Sequence, residues 1–246
     1  MAVERISTGS YDLNKWLYGG YEKGIISMIA GPPGSGKTNF AVLTSCSQAK
    51  KGKKVIFIDT EGGFSVDRVK QIVGENYEEI LKNILLMKPA SFKEQKKIFD
   101  NLLNSLKETS IGQIGLIIID GMAMLYRLEL GDAVVSGEDE AIKKINREVA
   151  KQMRCLAEIS RKNNIPVLIT NQVYKQFLSD EEIKKGVKPE QNIVGGDLFK
   201  YWSKCIIELQ EERGKRKAIL LKHRSLPQKE LNFVIKDKGI FKSGWI

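Results

Sequence analysis

The segment Gly31-Pro32-Pro33-Gly34-Ser35-Gly36-Lys37-Thr38 matches G-x-x-x-x-G-K-T at every fixed position. An apolar run, Gly24 to Ala30, leads into it, and Asn39 to Lys51 follows with Phe40, Val42, Leu43 and Cys46 placed as in a buried helix. A strand feeding a glycine loop that opens a helix directs main-chain N–H groups from Gly34 onward at one point, a nest for a β-phosphate. Gly31, Gly34, Ser35, Gly36 and Asn39 are therefore candidate phosphate-cradle residues. Lys37 is placed to bridge β- and γ-phosphates, and the Thr38 hydroxyl to hold Mg²⁺. Pro32 and Pro33 have no N–H to offer but precede the nest.

The rest of the chain reads as alternating strands and helices. Val55 to Ile58 and Ile84 to Met87 suit strands, and Ser91 with Glu94 three residues on suits the N-cap of a helix to about Lys107. Leu116 to Ile119 is a continuous apolar run, expected of a parallel strand covered on both faces. From Asp139 to Asn163, apolar residues at three- and four-residue spacing predict one long amphipathic helix, and Pro166 to Ile169 another central strand. After Gly196 come shorter strands, Cys205 to Leu209, Lys217 to Leu221 and Leu231 to Ile235, which read as antiparallel additions. The expected fold is α/β: a mostly parallel twisted central sheet flanked by helices, with antiparallel C-terminal strands. No repeat, low-complexity tract or linker divides residues 1–246, so a single domain is expected. Asp120 closes the apolar strand Leu116 to Ile119, where a carboxylate can accept a Mg²⁺-bound water or cap the following helix.

Charge points to partners. The chain carries a formal +10, and from Lys200 onward twelve Lys and Arg stand against five Asp and Glu. That end favours polyanions, or else is a solvated lysine surface. Arg213, Lys215 and Arg216 are a candidate phosphate-contacting cluster there, with a soluble hairpin tip as the alternative. Cys46, Cys155 and Cys205 are too scattered for a disulfide framework or metal clip, and the single His223 leaves no zinc set. No apolar stretch is long enough to span a bilayer, and residues 1–10 carry Glu4 and Arg5 rather than a signal core. A cytoplasmic protein without membrane partners is expected.

Loop chemistry narrows the class. The Asp120-Gly121 pair lacks the Glu that AAA-type ATPases place after this Asp, and no Asn-Lys-x-Asp for reading guanine appears. Instead Ile6-Ser7-Thr8-Gly9-Ser10, Leu13, Gly19-Gly20, Gly34 to Thr38, Asp59-Thr60-Glu61-Gly62, Asp120, Leu125-Tyr126-Arg127, Thr170-Asn171-Gln172-Val173 and Gly195-Gly196 resemble, in order and spacing, the archaeal and eukaryal RecA-family recombinases. The likeness begins almost at Met1, so the N-terminal helical domain and linker of the strand-exchange enzymes are expected to be missing, as in a core-only archaeal paralogue.

The resemblance implies a RecA-like core of the P-loop NTPase type that binds ATP and Mg²⁺, with Glu61 polarising the attacking water and Gln172 sensing the γ-phosphate. It implies that Arg68 stacks on adenine, that Arg127 opens a first DNA-facing loop running to about Glu138, and that a second runs from Val173 to Val194. The second is offset by Asp180, Glu181, Glu182 and Glu190 and lacks net basicity. Lys222 and Arg224 are similar to the KaiC-like pattern in which late-strand cations reach a neighbouring subunit's γ-phosphate. The expected function is an ATP-binding, single-stranded-DNA-binding accessory protein of recombination and repair with weak, DNA-dependent ATPase activity, possible repair-protein partners and nucleotide- or DNA-dependent self-assembly. Two alternatives stay open: a mediator that uses ATP as a switch without turnover, and a KaiC-like ATPase that does not act on DNA.

Overall fold

Five of the apolar runs form neighbouring strands in the computed structural model, which describes residues 3–108, 111–175 and 191–244. The strands are β1 (Arg5–Ile6), β2 (Tyr21–Glu22), β3 (Ile26–Gly31), β4 (Lys54–Asp59), β5 (Ile84–Met87), β6 (Ile114–Asp120), β7 (Val167–Lys175), β8 (Gln191–Ile193), β9 (Ser203–Glu212), β10 (Lys215–His223), β11 (Lys229–Lys236) and β12 (Gly239–Lys242). The helices are α1 (Tyr11–Trp16), α2 (Lys37–Ala49), α3 (Val66–Val73), α4 (Tyr77–Leu81), α5 (Phe92–Glu108), α6 (Met124–Val135), α7 (Asp139–Asn163) and α8 (Asp197–Trp202). A ten-stranded sheet runs in the order β12-β11-β10-β9-β3-β7-β6-β4-β5, with β8 beside β7. Pairing is parallel from β9 through β3, β7, β6 and β4 to β5, and antiparallel among β9 to β12.

The runs that carry no polar alternation are those buried on both sides: Met28, Phe57, Ile117 and Ile169 are fully enclosed between two helical layers. Phe40 of α2 meets Phe233 of β11 edge to face with centroids 5.3 Å apart, which locks the helix after the glycine loop onto the antiparallel strands. Ser91 and Glu94 behave as the sequence predicts: the Glu94 N–H donates to Ser91 Oγ at 3.2 Å, and Glu94 Oε2 accepts from the Ala90 N–H at 2.8 Å.

Two expectations are corrected. The strand at Cys205 to Leu209 is not antiparallel to its inner neighbour; β9 runs parallel to β3, with Met28 opposite Ile206, and antiparallel pairing starts at the β9–β10 hairpin. The reason is the short helix α8, whose Phe199 is fully buried and packs so closely under Gly195 that a Cβ there would stand 2.3 Å from its ring. That turn returns the chain to the start of β3 before β9 begins. The second correction concerns Arg127. The segment it was expected to open as a loop is helix α6, because Leu125, Tyr126 and Ala133 are buried and Tyr126 donates to Asn146 Oδ1 of α7 at 2.7 Å.

Candidate nucleotide-binding site

Parallel strands end at one side of the sheet, and four of them bring the candidate residues together there. Register places Gly31 opposite Gln172 and Asp59 opposite Asp120. Gly31 must be glycine for a physical reason: a Cβ would come within 2.7 Å of Ser35 Oγ and 2.8 Å of the Leu209 carbonyl. Gly36, at φ +106°, caps α2 without a side-chain hydrogen bond, and the first turn of α2 holds no acidic residue. The N–H groups of that turn are thus left for an anion. Asn39 lies half-buried on the same turn.

Lys37 is buried, and its Nζ donates to the Gly31 and Pro32 carbonyls at 2.9 and 3.0 Å. Burial pushes its pKa down, opposed by the carboxylates of Glu61 and Asp120. Asp120 is enclosed, with Oδ1 accepting from Thr170 Oγ1 at 2.6 Å. Its Oδ2 is buried without a well-formed hydrogen bond, and a Cβ built on Gly63 would lie 3.6 Å from it and 3.1 Å from Thr38 Oγ1. Burial pushes the Asp120 pKa up, and the Thr170 and Thr38 hydroxyls work against that.

Glu61 and Gln172, separated by more than a hundred residues of chain, meet: Gln172 Nε2 donates to Glu61 Oε1 at 3.1 Å. Glu61 passes over Gly121, where a Cβ would strike its side chain at 2.6 Å and Thr60 Oγ1 at 2.4 Å. Glycine after Asp120 therefore makes room for the Glu61 segment rather than carrying chemistry itself. The sequence reading missed two supports. Thr170 accepts the Gly121 N–H at 2.7 Å while donating to Asp120, and Asp59 accepts from the N–H groups of Gly63 and Phe64 at 3.1 and 3.0 Å, fixing the loop that holds Glu61. Thr170 was visible only as part of a strand-end tetrapeptide.

The remaining candidates lie elsewhere. Arg68 spends its guanidinium on the Lys236 and Asp237 carbonyls at 2.9 and 3.1 Å, at the β11–β12 turn. Lys222 donates to the Lys200 carbonyl at 2.7 Å, and Arg224 pairs with Glu22 at 2.5 Å. Because β10 runs antiparallel to β9, with Lys222 opposite Ile206 and His223 opposite Cys205, both sit at the far end of the sheet from Lys37. Arg127 is exposed on α6. Arg213 (φ +51°) and Gly214 (φ +78°) form the β9–β10 turn, with Lys215 opposite Glu212 and Arg216 opposite Glu211, so acidic neighbours face this basic cluster. Of the second DNA-facing segment, Val173 pairs with Ile193 in the β7–β8 ladder, and residues 176–190, with Asp180, Glu181, Glu182 and Glu190, lie outside the described residues. Among the described residues, no group of three His, Cys, Asp or Glu is arranged to cage a metal. No helix among them is long and apolar enough to cross a membrane.

The chain matches the Rad51 family over residues 1–243. It is 38% identical over 239 residues to the DNA repair and recombination protein RadB of Methanobrevibacter smithii, covering 96% of this chain and 95% of that one. To the proteins of the same name from Methanococcus maripaludis and Methanocaldococcus jannaschii it is 41% identical over 229 residues and 40% over 230, covering 93% of this chain in both cases and 96% and 98% of theirs.

Proposed function

This chain belongs to the Rad51 family, and from that premise we propose that it is a RadB-type accessory protein of DNA repair and recombination, one RecA-like core domain over residues 1–246 that binds Mg-ATP and single-stranded DNA. The observation that carries the nucleotide reading is the meeting of Glu61 with Gln172 beside Thr38 and Asp120, at the ends of four adjacent strands.

The residues fit the ligand. The N–H groups of Gly34, Gly36, Lys37 and Thr38 would form the cradle, joined by that of Ser35 if it leaves the Pro32 carbonyl it meets at 3.2 Å, and the Lys37 ammonium would leave its carbonyl partners for β- and γ-oxygens. Thr38 Oγ1 and the Asp120 carboxylate, whose Oδ2 is unpartnered, would hold Mg²⁺, Asp120 through a bound water, and the ion would neutralise charge on the phosphates. Glu61 accepts a proton from a water aligned with the γ-phosphate, and Gln172 holds the carboxylate in place and links it to β7. Arg68 of α3 would have to leave the Lys236 and Asp237 carbonyls to stack on the base.

Hydrolysis by a single chain is slow in this reading, since Lys222 and Arg224 are engaged at the opposite end of the sheet and can reach a γ-phosphate only across an interface between subunits. The same observation favours the second reading, a mediator of a recombinase or another repair protein that uses ATP as a switch. Arg127, Arg213, Lys215 and Arg216 are solvent-accessible cations for phosphate contacts.

Paired variants test the site. Lys37→Ala should weaken Mg-ATP binding about 100-fold or more, since a charged donor to two phosphates is lost. Glu61→Gln should leave the affinity nearly intact and lower turnover by about 10² to 10⁴, the usual worth of a positioned base. Calorimetry and phosphate release read the two effects separately. Equal loss of affinity in both variants would make Glu61 a structural residue, and turnover undetectable in the unmodified chain with and without DNA would leave the switch reading in its place.

A further inference from the structure

At the other end of β3 and β9, away from the glycine loop, lies a cleft of about 530 Å³ whose lining includes Ile26, Ala157, Arg161, Tyr201, Trp202 and Lys204. Its floor is apolar: Ile26 and Ala157 are buried. Its wall is an aromatic ring presented to solvent. Phe199 anchors α8 in the core, and Tyr201, two residues further along the same helix, is 68% exposed. Trp202 stands edge-on to the Tyr201 ring with centroids 5.3 Å apart and planes at 86°, which fixes the ring's orientation. The Lys204 ammonium lies 5.3 Å from its centroid.

Of the cations around this corner, Arg224 pairs with Glu22, whereas three others make their recorded hydrogen bonds to carbonyls. Lys204 Nζ donates to the Tyr201 carbonyl at 3.0 Å, Lys222 Nζ to the Lys200 carbonyl at 2.7 Å, and Arg161 Nε to the Ala157 carbonyl at 3.4 Å. Burial first, and then the neighbouring Lys204 ammonium, push the Lys222 pKa down. The β9–β10 turn is the opposite case, for there Glu211 and Glu212 stand across from the basic residues. An exposed aromatic face, an apolar floor and unneutralised cations on both sides match one class of ligand: a base that stacks while its flanking phosphates meet ammonium and guanidinium groups.

We propose that the corner formed by the end of α7, α8 and the start of β9 is a binding site for single-stranded DNA, with Tyr201 as the stacking platform and Lys204, Arg161 and Lys222 as phosphate contacts. The choice of DNA rests on the repair reading above; the recognition of a single strand rests on the cleft itself.

Fluorescence anisotropy of the full-length chain with labelled oligo-dT, and with an abasic strand of the same length, tests it over a range of salt. The unmodified protein should prefer oligo-dT. Tyr201→Ala should weaken oligo-dT binding by about 5- to 150-fold, the worth of one base stacked on an aromatic ring, and abolish the preference over the abasic strand, whereas Tyr201→Phe should keep both. Lys204→Glu, on an exposed strand start, gives a second readout: the slope of log K against log salt should flatten by at least the ~0.7 expected of one lost contact to a single strand. Oligo-dT affinity unchanged in both Tyr201→Ala and Lys204→Glu would overturn the site while leaving the repair reading standing. Tyr201→Ala that lowers the mass in solution but not the affinity would make the corner an interface between copies of this chain and overturn the proposal as well. Absence of salt-dependent DNA binding by the unmodified chain would instead remove the DNA part of the repair reading, and this site with it.

Discussion

The two ends of the same parallel strands present positive character by different means. At the C-terminal ends, the positive character comes from main-chain N–H groups at the start of α2, and the side chains that converge are mostly acceptors: Asp59, Glu61 and Asp120, with Lys37 as the buried cation. At the N-terminal ends, the positive character comes from Arg161, Lys204, Lys222 and Arg224, with the buried carboxylate of Glu22 as the internal counterweight. Backbone donors fixed by glycines hold one geometry, whereas lysines on exposed strand ends adapt to a flexible polymer. Under the proposed function, recognition of a triphosphate and a metal in one arrangement suits the first end, and a sequence-tolerant contact with DNA suits the second.

The sharpest way to break this contrast is to disturb the counterweight. Glu22 is fully buried and joins Arg5 at 2.9 Å and Arg224 at 2.5 Å, with His223 Nε2 3.7 Å away. The N–H groups of Ser225 and Leu226 both donate to His223 Nδ1, which leaves the ring hydrogen on Nε2, toward Glu22. Glu22→Gln removes the charge that both arginines meet. Urea unfolding should show a loss of roughly 2–3 kcal/mol, less than the ~3–5 kcal/mol of a fully buried pair because Arg5 and Arg224 keep access to water. Mg-ATP affinity should stay unchanged. If affinity fell with stability, the two ends would be coupled through β3 and the contrast would fail.

This cluster also marks what the sequence could not reveal. The glycine loop, the apolar strands and α7 are legible because each is a local pattern within one turn or one strand. The roles of Glu61 and Gln172 came from the family resemblance, but their meeting was not legible, since their strands β4 and β7 are separated in the sheet by β6. Glu22 is a different matter. It lies 17 residues from Arg5 and 202 from Arg224, in a two-residue strand with no pattern of its own. Helix α6 was missed because Leu128, Val134 and Val135 are exposed, so its apolar residues trace no single face, and Gly131 interrupts it. Tyr201 carried no signal beyond being aromatic, because α8 is only six residues long.

A smaller effect sharpens the comparison at the β9–β10 turn. This turn stands at the glycine-loop end, since β9 reaches it after passing Ala30 at Glu208. Replacing Arg213, Lys215 and Arg216 together by Ala should flatten the salt slope for single strands by at most about 0.7 per lost contact, because Glu211 and Glu212 already oppose two of the three. A flattening larger than that produced by Lys204→Glu would move the main DNA contact to the nucleotide end and undo the division of labour.

The smallest effect is also the most specific. Burial raises the Asp120 pKa above the ordinary carboxylate value. The folded chain therefore binds more protons than the unfolded one between those two values, and stability falls as pH rises through that window. Above the folded pKa the cost is present in full; toward the unfolded Asp value of about 3.9 it fades. Asp120→Asn keeps an oxygen for the Thr170 hydroxyl and places a neutral amide where Oδ2 lies unpartnered near Thr38. Tm should thus rise at pH 8, by about 2–4 °C for each kcal/mol recovered in a chain of this size, and the gain should vanish as pH is lowered. The same variant should lose the extra stabilisation that Mg²⁺ gives in the presence of ATP, because the ion's carboxylate is gone. A Tm that falls at pH 8 would mean that the Thr38 hydroxyl already satisfies the carboxylate, and that the cost of burying Asp120 is met by the fold before any metal arrives.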